Sequence, residues 1–299
     1  MKQRLFGYTF VLFASLLAAT PTVYAQQATM SALRTAWNEP QKPFQVYGNT
    51  YYVGTKGLSS ILITSPSGHV LIDGALPESA PLIVANIRAL GFRIEDVKLI
   101  LNTHVHFDHA GGLAALQKLS SAKVAASAAS AKVLRTGDVD KDDPQYGSLP
   151  RIDPIANVDV VGDDEMLVLA GIALTSHLTP GHTPGGTSWT WQSCEKKVCL
   201  NMVYGDSLNP ISATGYLYSD TKRDPNGVKQ LEKSFSVMEQ FDCDILLVPH
   251  PDLVDLFGKL AKRAQGMTTN PFIDASACKK YVQMARGLLT RRIATEKAN

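Results

Sequence analysis

The sequence has no surplus of charge. Its 299 residues hold 29 Lys and Arg against 27 Asp and Glu. That balance gives no electrostatic reason to expect nucleic acid or an anionic membrane as partner. Internal repeats, low-complexity linkers and an obvious domain boundary are also missing, which fits a single α/β domain. G-x-S-x-G is absent, against an α/β-hydrolase. The four cysteines include no C-x-x-C pair, so a structural zinc held by four thiolates is not expected. Asp140, Asp142 and Asp143 cluster in a turn-rich stretch without the D-x-[DN]-x-[DN]-G spacing of a calcium loop, and read as a solvated loop that could border a site.

Met1–Ala25 reads as a targeting segment. Lys2 and Arg4 precede the apolar run Leu5–Ala19, Pro21 breaks it, and Val23-Tyr24-Ala25 resembles a cleavage site before Gln26. The run is shorter than the ~20 residues of a spanning helix. The expectation is an exported protein of one domain, residues 26–299, in the periplasm. Removing the segment leaves 27 of the 29 basic side chains against 27 acidic ones, a neutral chain.

Cys194, Cys199, Cys243 and Cys278 remain, an even number suited to disulfides in an exported protein. A bridge across the charged turn Glu195–Val198 is plausible. It would leave Cys243 for Cys278, tying the C-terminal helix to the preceding core strand. All three pairings stay open on sequence.

Strand-like runs at Phe44–Val53, Ser59–Ser65 and His69–Ile72 are separated by Gly-, Pro- and Ser-rich turns. A helix is expected over Ser79–Leu90, with Ser79 as cap and Gly91 as stop. Further strands are expected at Val97–Leu101, Lys123–Ala126, Ile172–Ser176, Val198–Tyr204 and Asp244–Val248. Helices are expected near Ser130 and over Val228–Gln240, Leu253–Arg263 (Asp252 as its cap) and Ala277–Glu296.

The densest chemistry follows the apolar strand Val97–Leu101. Asn102-Thr103-His104-Val105-His106-Phe107-Asp108-His109 packs three imidazoles and a carboxylate into six residues at a strand-to-helix turn. Neutral imidazole suits zinc, and a carboxylate can complete a site. His104 and His106, two apart, point the same way in extended backbone, while Asp108 and His109 can aim at a second position. Two more histidines sit at strand ends: His182 in the rigid loop Thr179–Gly186, and His250 after Asp244–Val248. His177 and His69 read as packed histidines.

H-V-H-F-D-H resembles the H-x-H-x-D-H signature of the metallo-β-lactamase superfamily, and Gly181-His182-Thr183-Pro184-Gly185 resembles its third motif. Gly48–Thr55, Gly57–Ser65, Leu99–Gly112, Gly181–Trp189, Gly205–Leu208, His250-Pro251-Asp252 and Thr269–Phe272 extend the similarity to subclass B3 across almost all of the mature chain. The resemblance implies a four-layer αββα sandwich, two mixed β-sheets with helices on both outer faces. It implies two zinc ions, one held by His104, His106 and His182 and one by Asp108, His109 and His250. Ser207, in place of a ligand cysteine, would orient water at the second ion, with Asp206 as support. Asn209 departs from a serine that contacts the substrate carboxylate. A late cysteine would pair with Cys243. The implied reaction is hydrolysis of the β-lactam ring amide of penicillins, cephalosporins or carbapenems by a metal-bound hydroxide, with Asp108 orienting it. The resemblance thus implies antibiotic resistance by a monomer acting on small molecules, with no nucleic acid and no membrane after signal removal.

Rival readings differ in definite features. A serine β-lactamase needs S-x-x-K with S-D-N and K-T-G; Ser120–Lys123 and Ser276–Lys279 match the first alone. A glyoxalase-type thioesterase or acyl-homoserine lactonase of the same superfamily would use Asp206 as a bridging ligand. A non-catalytic metal-binding module would need fewer ligands than six.

Overall fold

Period-two alternation of apolar side chains builds two facing sheets in the computed structural model, which describes residues 30–298. The targeting segment Met1–Ala25 lies outside the described residues. Residues 30–35 are helical and belong to a separate unit; the main body begins at Ala36.

The first sheet runs in chain order: β1 (Phe44–Tyr47), β2 (Thr50–Tyr52), β3 (Ile61–Ile63), β4 (His69–Ile72), β5 (Val97–Leu101), β6 (Lys123–Ser127) and β7 (Asp159–Val161). It is antiparallel up to β4 and parallel beyond. The second sheet comprises β8 (Met166–Leu169), β9 (Ile172–Leu178), β10 (Thr187–Glu195), β11 (Val198–Tyr204) and β12 (Ile245–Leu247), in the order β12-β11-β10-β9-β8. Only β11 and β12 pair in parallel there. Both sheets are mixed, as the resemblance implied.

Ile61, Ile63, Val70, Ile72, Leu99 and Leu101 point from the first sheet into the second. There they meet Leu174, Trp189, Met202, Tyr204, Ile245 and Leu247. Burying each such side chain contributes about 1.5–3 kcal/mol, and this layer is the main core. Trp189 is fully buried, and its Nε1 donates to the carbonyl of Asn102 at 3.1 Å. The core therefore grips the segment that opens the histidine-rich motif.

Helices close the outer faces. α1 (Ala80–Ala89) packs on α3 (Leu113–Ser120), and α3 on β5; α2 (Phe107–Ala110) is the single turn between. α4 (Ala128–Thr136) follows β6. On the other side α5 (Gly227–Glu239) and α7 (Ala277–Ala298) bury Leu231, Phe235, Tyr281, Val282 and Leu289 against Val203, Leu246 and Val248. α6 (Leu256–Ala264) follows β12.

Two expected caps are not made. Ser79 has helical backbone and ends a 3₁₀ turn, Pro77–Ser79; its hydroxyl donates to Asn38 Oδ1 at 2.7 Å instead. Asp252 lies inside a second 3₁₀ turn, Pro251–Val254, and α6 starts only at Leu256, behind left-handed Asp255. Gly91 does stop α1, at φ +85°. Neither β7 nor β8 is among the strands expected from the sequence. Met166 and Val168 of β8 face solvent, so this strand carries little core pattern.

The cysteines pair Cys194 with Cys199, opposite each other in the β10–β11 register, and Cys243 with Cys278. Among the described residues no helix is long and apolar enough to cross a membrane.

Candidate metal centre

β5 lies between two parallel neighbours, so its carboxyl end is held on both sides. The turn beyond it is pinned by one buried carboxylate. Asp73 Oδ1 accepts from the Thr103 amide at 2.8 Å and Asn102 Nδ2 at 3.2 Å; Oδ2 accepts from Thr103 Oγ1 at 2.7 Å and the Tyr204 hydroxyl at 3.1 Å. Burial pushes the Asp73 carboxyl up to about 7, with these four donors opposing the shift. Asn102 Nδ2 also donates to the His104 carbonyl at 2.8 Å. His104 and His106 are thereby presented side by side, with ring centroids 4.8 Å apart.

His182 arrives from the β9–β10 loop and completes a group of three imidazoles whose donor atoms lie within 4.8 Å of one another. Each ring is held by its outward nitrogen. His104 Nδ1 donates to Asp206 Oδ1 at 2.7 Å, His106 Nε2 to Asp143 Oδ2 at 3.0 Å, and His182 Nδ1 to the Asn209 carbonyl at 2.8 Å. Those bonds select tautomers that leave His104 Nε2, His106 Nδ1 and His182 Nε2 as lone-pair donors. His104 Nε2 is buried with no hydrogen-bond partner, an orphan that a cation would satisfy. Gln145 Nε2 lies 3.4 Å from His106 Nδ1. Burial, reinforced by the neighbouring imidazoles, holds His104 far below the usual histidine range; burial and His106 lower His182 to about 3. Neutral imidazole is the form that binds metal.

Asp108, His109 and His250 form a second group. Asp108 Oδ2 is 3.2 Å from His109 Nε2 and 3.4 Å from His250 Nε2. Burial works to raise the Asp108 carboxyl, but the two imidazoles more than offset it and hold the group well below the carboxylate range. Burial lowers His109; for His250 burial is the largest single effect, but the hydrogen bond and charge of Asp108, with Asp252 and the Gly57 backbone, together outweigh it and raise the group. His104 and His109 have ring centroids 4.4 Å apart, so the two groups share one wall. The indole of Trp37 flanks His250, 5.6 Å between centroids. Six buried or largely buried N and O donors in two triads fit zinc, and each triad leaves coordination positions open.

All six residues singled out in the sequence come together. Asp206 falls in neither donor group; it sits behind His104. Ser207 is buried beside it, and Asn209 touches His182 through its backbone. His177 is held by Asp164 and Thr190, and His69 packs on Phe92, both away from the centre.

One expectation is corrected. Asp142 is exposed and Asp140 is partly buried against Lys132, but Asp143 is 3% exposed and binds His106, so the loop is not simply solvated. Asp143 also lines a cavity of ≈ 410 Å³ with Tyr146, Pro184, Tyr216 and Arg223. Asp73 and Trp37 were missed as well. Asp73-Gly74 read only as the end of the third strand, and nothing near Trp37 pointed to metal.

A model of the metallo-beta-lactamase superfamily matches residues 53–195. Among solved structures, the Rm3 metallo-beta-lactamase is similar at TM-score 0.86 and 53% identity, over 89% of this chain and 98% of that one. MEM-A1, a subclass B3 metallo-beta-lactamase isolated from a soil metagenome library, is similar at TM-score 0.85 and 50% identity, over 88% of this chain and 99% of that one. A hydroxyacylglutathione hydrolase of Anaeromyxobacter dehalogenans (strain 2CP-C) is 34% identical over 147 residues, 49% of this chain and 44% of that protein. The match thus spans less than half of that relative.

Proposed function

The chain belongs to the metallo-β-lactamase superfamily, in its subclass B3, and on that premise we propose that it is a zinc hydrolase that opens the β-lactam ring amide of penicillins, cephalosporins and carbapenems. The observation that carries this reading is the division of the donors. Three imidazoles form one group, Asp108, His109 and His250 form the other, and Asp206 is turned onto the back of His104. A thioesterase or lactonase of the same superfamily would need Asp206 between the groups as a bridging ligand. Its carboxylate is instead engaged by His104 Nδ1 at 2.7 Å.

His104, His106 and His182 would hold one ion, and Asp108, His109 and His250 a second. Zinc bound there supplies Lewis acidity for the carbonyl and a water acidified toward neutral pH. The chain's own residues prepare the site. Asp206, Asp143 and the Asn209 carbonyl fix three tautomers, so the inward nitrogens carry lone pairs. Asp108 is kept ionised between His109 and His250 and would be the catalytic carboxylate that orients the attacking hydroxide. Ser207 would orient that water, and Asn209 would meet the substrate carboxylate.

Lys2, Arg4 and the apolar run after them support export with cleavage behind Ala25. The mature protein would act as a single-domain monomer in the periplasm and confer resistance to β-lactams. Purified enzyme should bind two zinc ions. It should lose cephalosporin hydrolysis to a chelator and regain it with zinc alone. Turnover that survives complete zinc removal would refute the reading.

A further inference from the structure

The corner that follows β11 supports two of the three imidazoles at once. Asp206 Oδ1 takes the Nδ1 proton of His104, and the Asn209 carbonyl takes that of His182. This corner is itself held from the far side of the second sheet. The Tyr281 hydroxyl of α7 donates to the Asp206 carbonyl at 3.1 Å and accepts from the Leu208 amide at 3.4 Å, so its two contacts bracket Ser207. Tyr281 is 3% exposed, and the Asp206 side chain is fully buried, so no water replaces either contact freely. Cys278, whose disulfide reaches Cys243 just before β12, lies three residues before Tyr281 and thus on the same face of α7.

We propose that Tyr281 is a positioning residue for the three-imidazole group: its hydroxyl holds the Asp206–Asn209 corner, and through it the rings of His104 and His182, with the Cys243–Cys278 bridge fixing the helical turn that carries it. The hydrogen bonds of the Tyr281 hydroxyl do not reach the second group, whose Asp108 and His109 come from α2 and whose His250 precedes the 3₁₀ turn Pro251–Val254; α7 meets that turn by packing alone. The effect of losing the hydroxyl is therefore selective. Outer partners of metal-bound histidines change affinity by about 10–100-fold, and Tyr281, one bond further out, belongs at the lower end.

The inference rests on the two-ion reading of the site, and the test separates the two. Tyr281→Phe keeps the ring and removes one hydroxyl. Zinc affinities are measured by competition with a chelator, and the imidazole N–H protons are followed by NMR in the zinc-loaded protein. Wild type that binds no zinc at the three-imidazole group would defeat the functional reading first. With wild type loaded, Tyr281→Phe should weaken one zinc about tenfold, leave the other within twofold, and shift the Nδ1 protons of His104 and His182 only. Unchanged affinities and resonances would overturn the proposal, as would equal loss at both ions. Should Tyr281→Phe fail to fold, reduction of the Cys243–Cys278 bridge in an otherwise intact C194S/C199S protein gives the second test. The same two protons should move, and their staying fixed would overturn it.

Discussion

At the scale of single residues, the site depends on who holds the back of each imidazole. Asp206→Ala leaves the His104 Nδ1 proton only the longer contact to Thr103 Oγ1 at 3.3 Å. Zinc affinity should fall about 10–100-fold, and Asp206→Asn, which retains an oxygen, should lose less; chelator competition on the two variants checks the order. A second expectation concerns pH. His182 has a folded pKa of about 3 against an ordinary 6.5, and His104 and His109 are also lowered. A depressed folded pKa means that the folded state resists a proton that the unfolded chain accepts. The contribution of these histidines to the stability of the zinc-free protein should therefore be fully present above about pH 6.5 and lost as pH falls toward 3, while Asp73, raised to about 7, contributes in the opposite sense. Denaturant midpoints of stripped wild type beside stripped His182→Gln across that range isolate the sign; a wild-type advantage that grows on acidification would contradict it.

At the scale of elements, short segments with little freedom carry the proposed ligands. Gly186, just after the His182 loop, has no room for a side chain: a Cβ there would meet Asp206 Oδ2 at 2.4 Å and the Thr179 carbonyl at 2.4 Å. The carbonyl is backbone and cannot swing away. Gly186→Ala should cost about 1–3 kcal/mol as overpacking and should also push Asp206 off His104. A lowered denaturant midpoint together with weakened zinc binding is the expected result. Asp73 plays a comparable part on the other sheet, where one carboxylate takes four donors from the β5 turn and from Tyr204 of β11. The two sheets thus meet directly behind the metal wall.

At the scale of the whole molecule, the six proposed ligands were legible because their signals are local. Four lie within six residues, and His182 and His250 each follow an apolar strand. The layer order came through the resemblance and not from periodicity, since short strands and buried helices look alike over a few residues. What sequence hid was long-range. Asp143 reaches His106 across 37 residues, and Tyr281 reaches Asp206 across 75. No window of sequence contains either pair. The misplaced caps have a similar cause: Ser79 had a better partner in Asn38, and a left-handed Asp255 separated Asp252 from its helix.

On the proposed function, this centre is built for a β-lactam and not for a thioester or lactone. The direct test is kcat/KM of the zinc-loaded mature protein on a carbapenem and a cephalosporin, beside a glutathione thioester and an acyl-homoserine lactone. β-Lactam turnover faster than either alternative by at least about a hundredfold, abolished by chelator, is the predicted result. Efficient cleavage of the thioester or lactone with the β-lactams untouched would contradict the account and return Asp206 to the role of a bridging ligand.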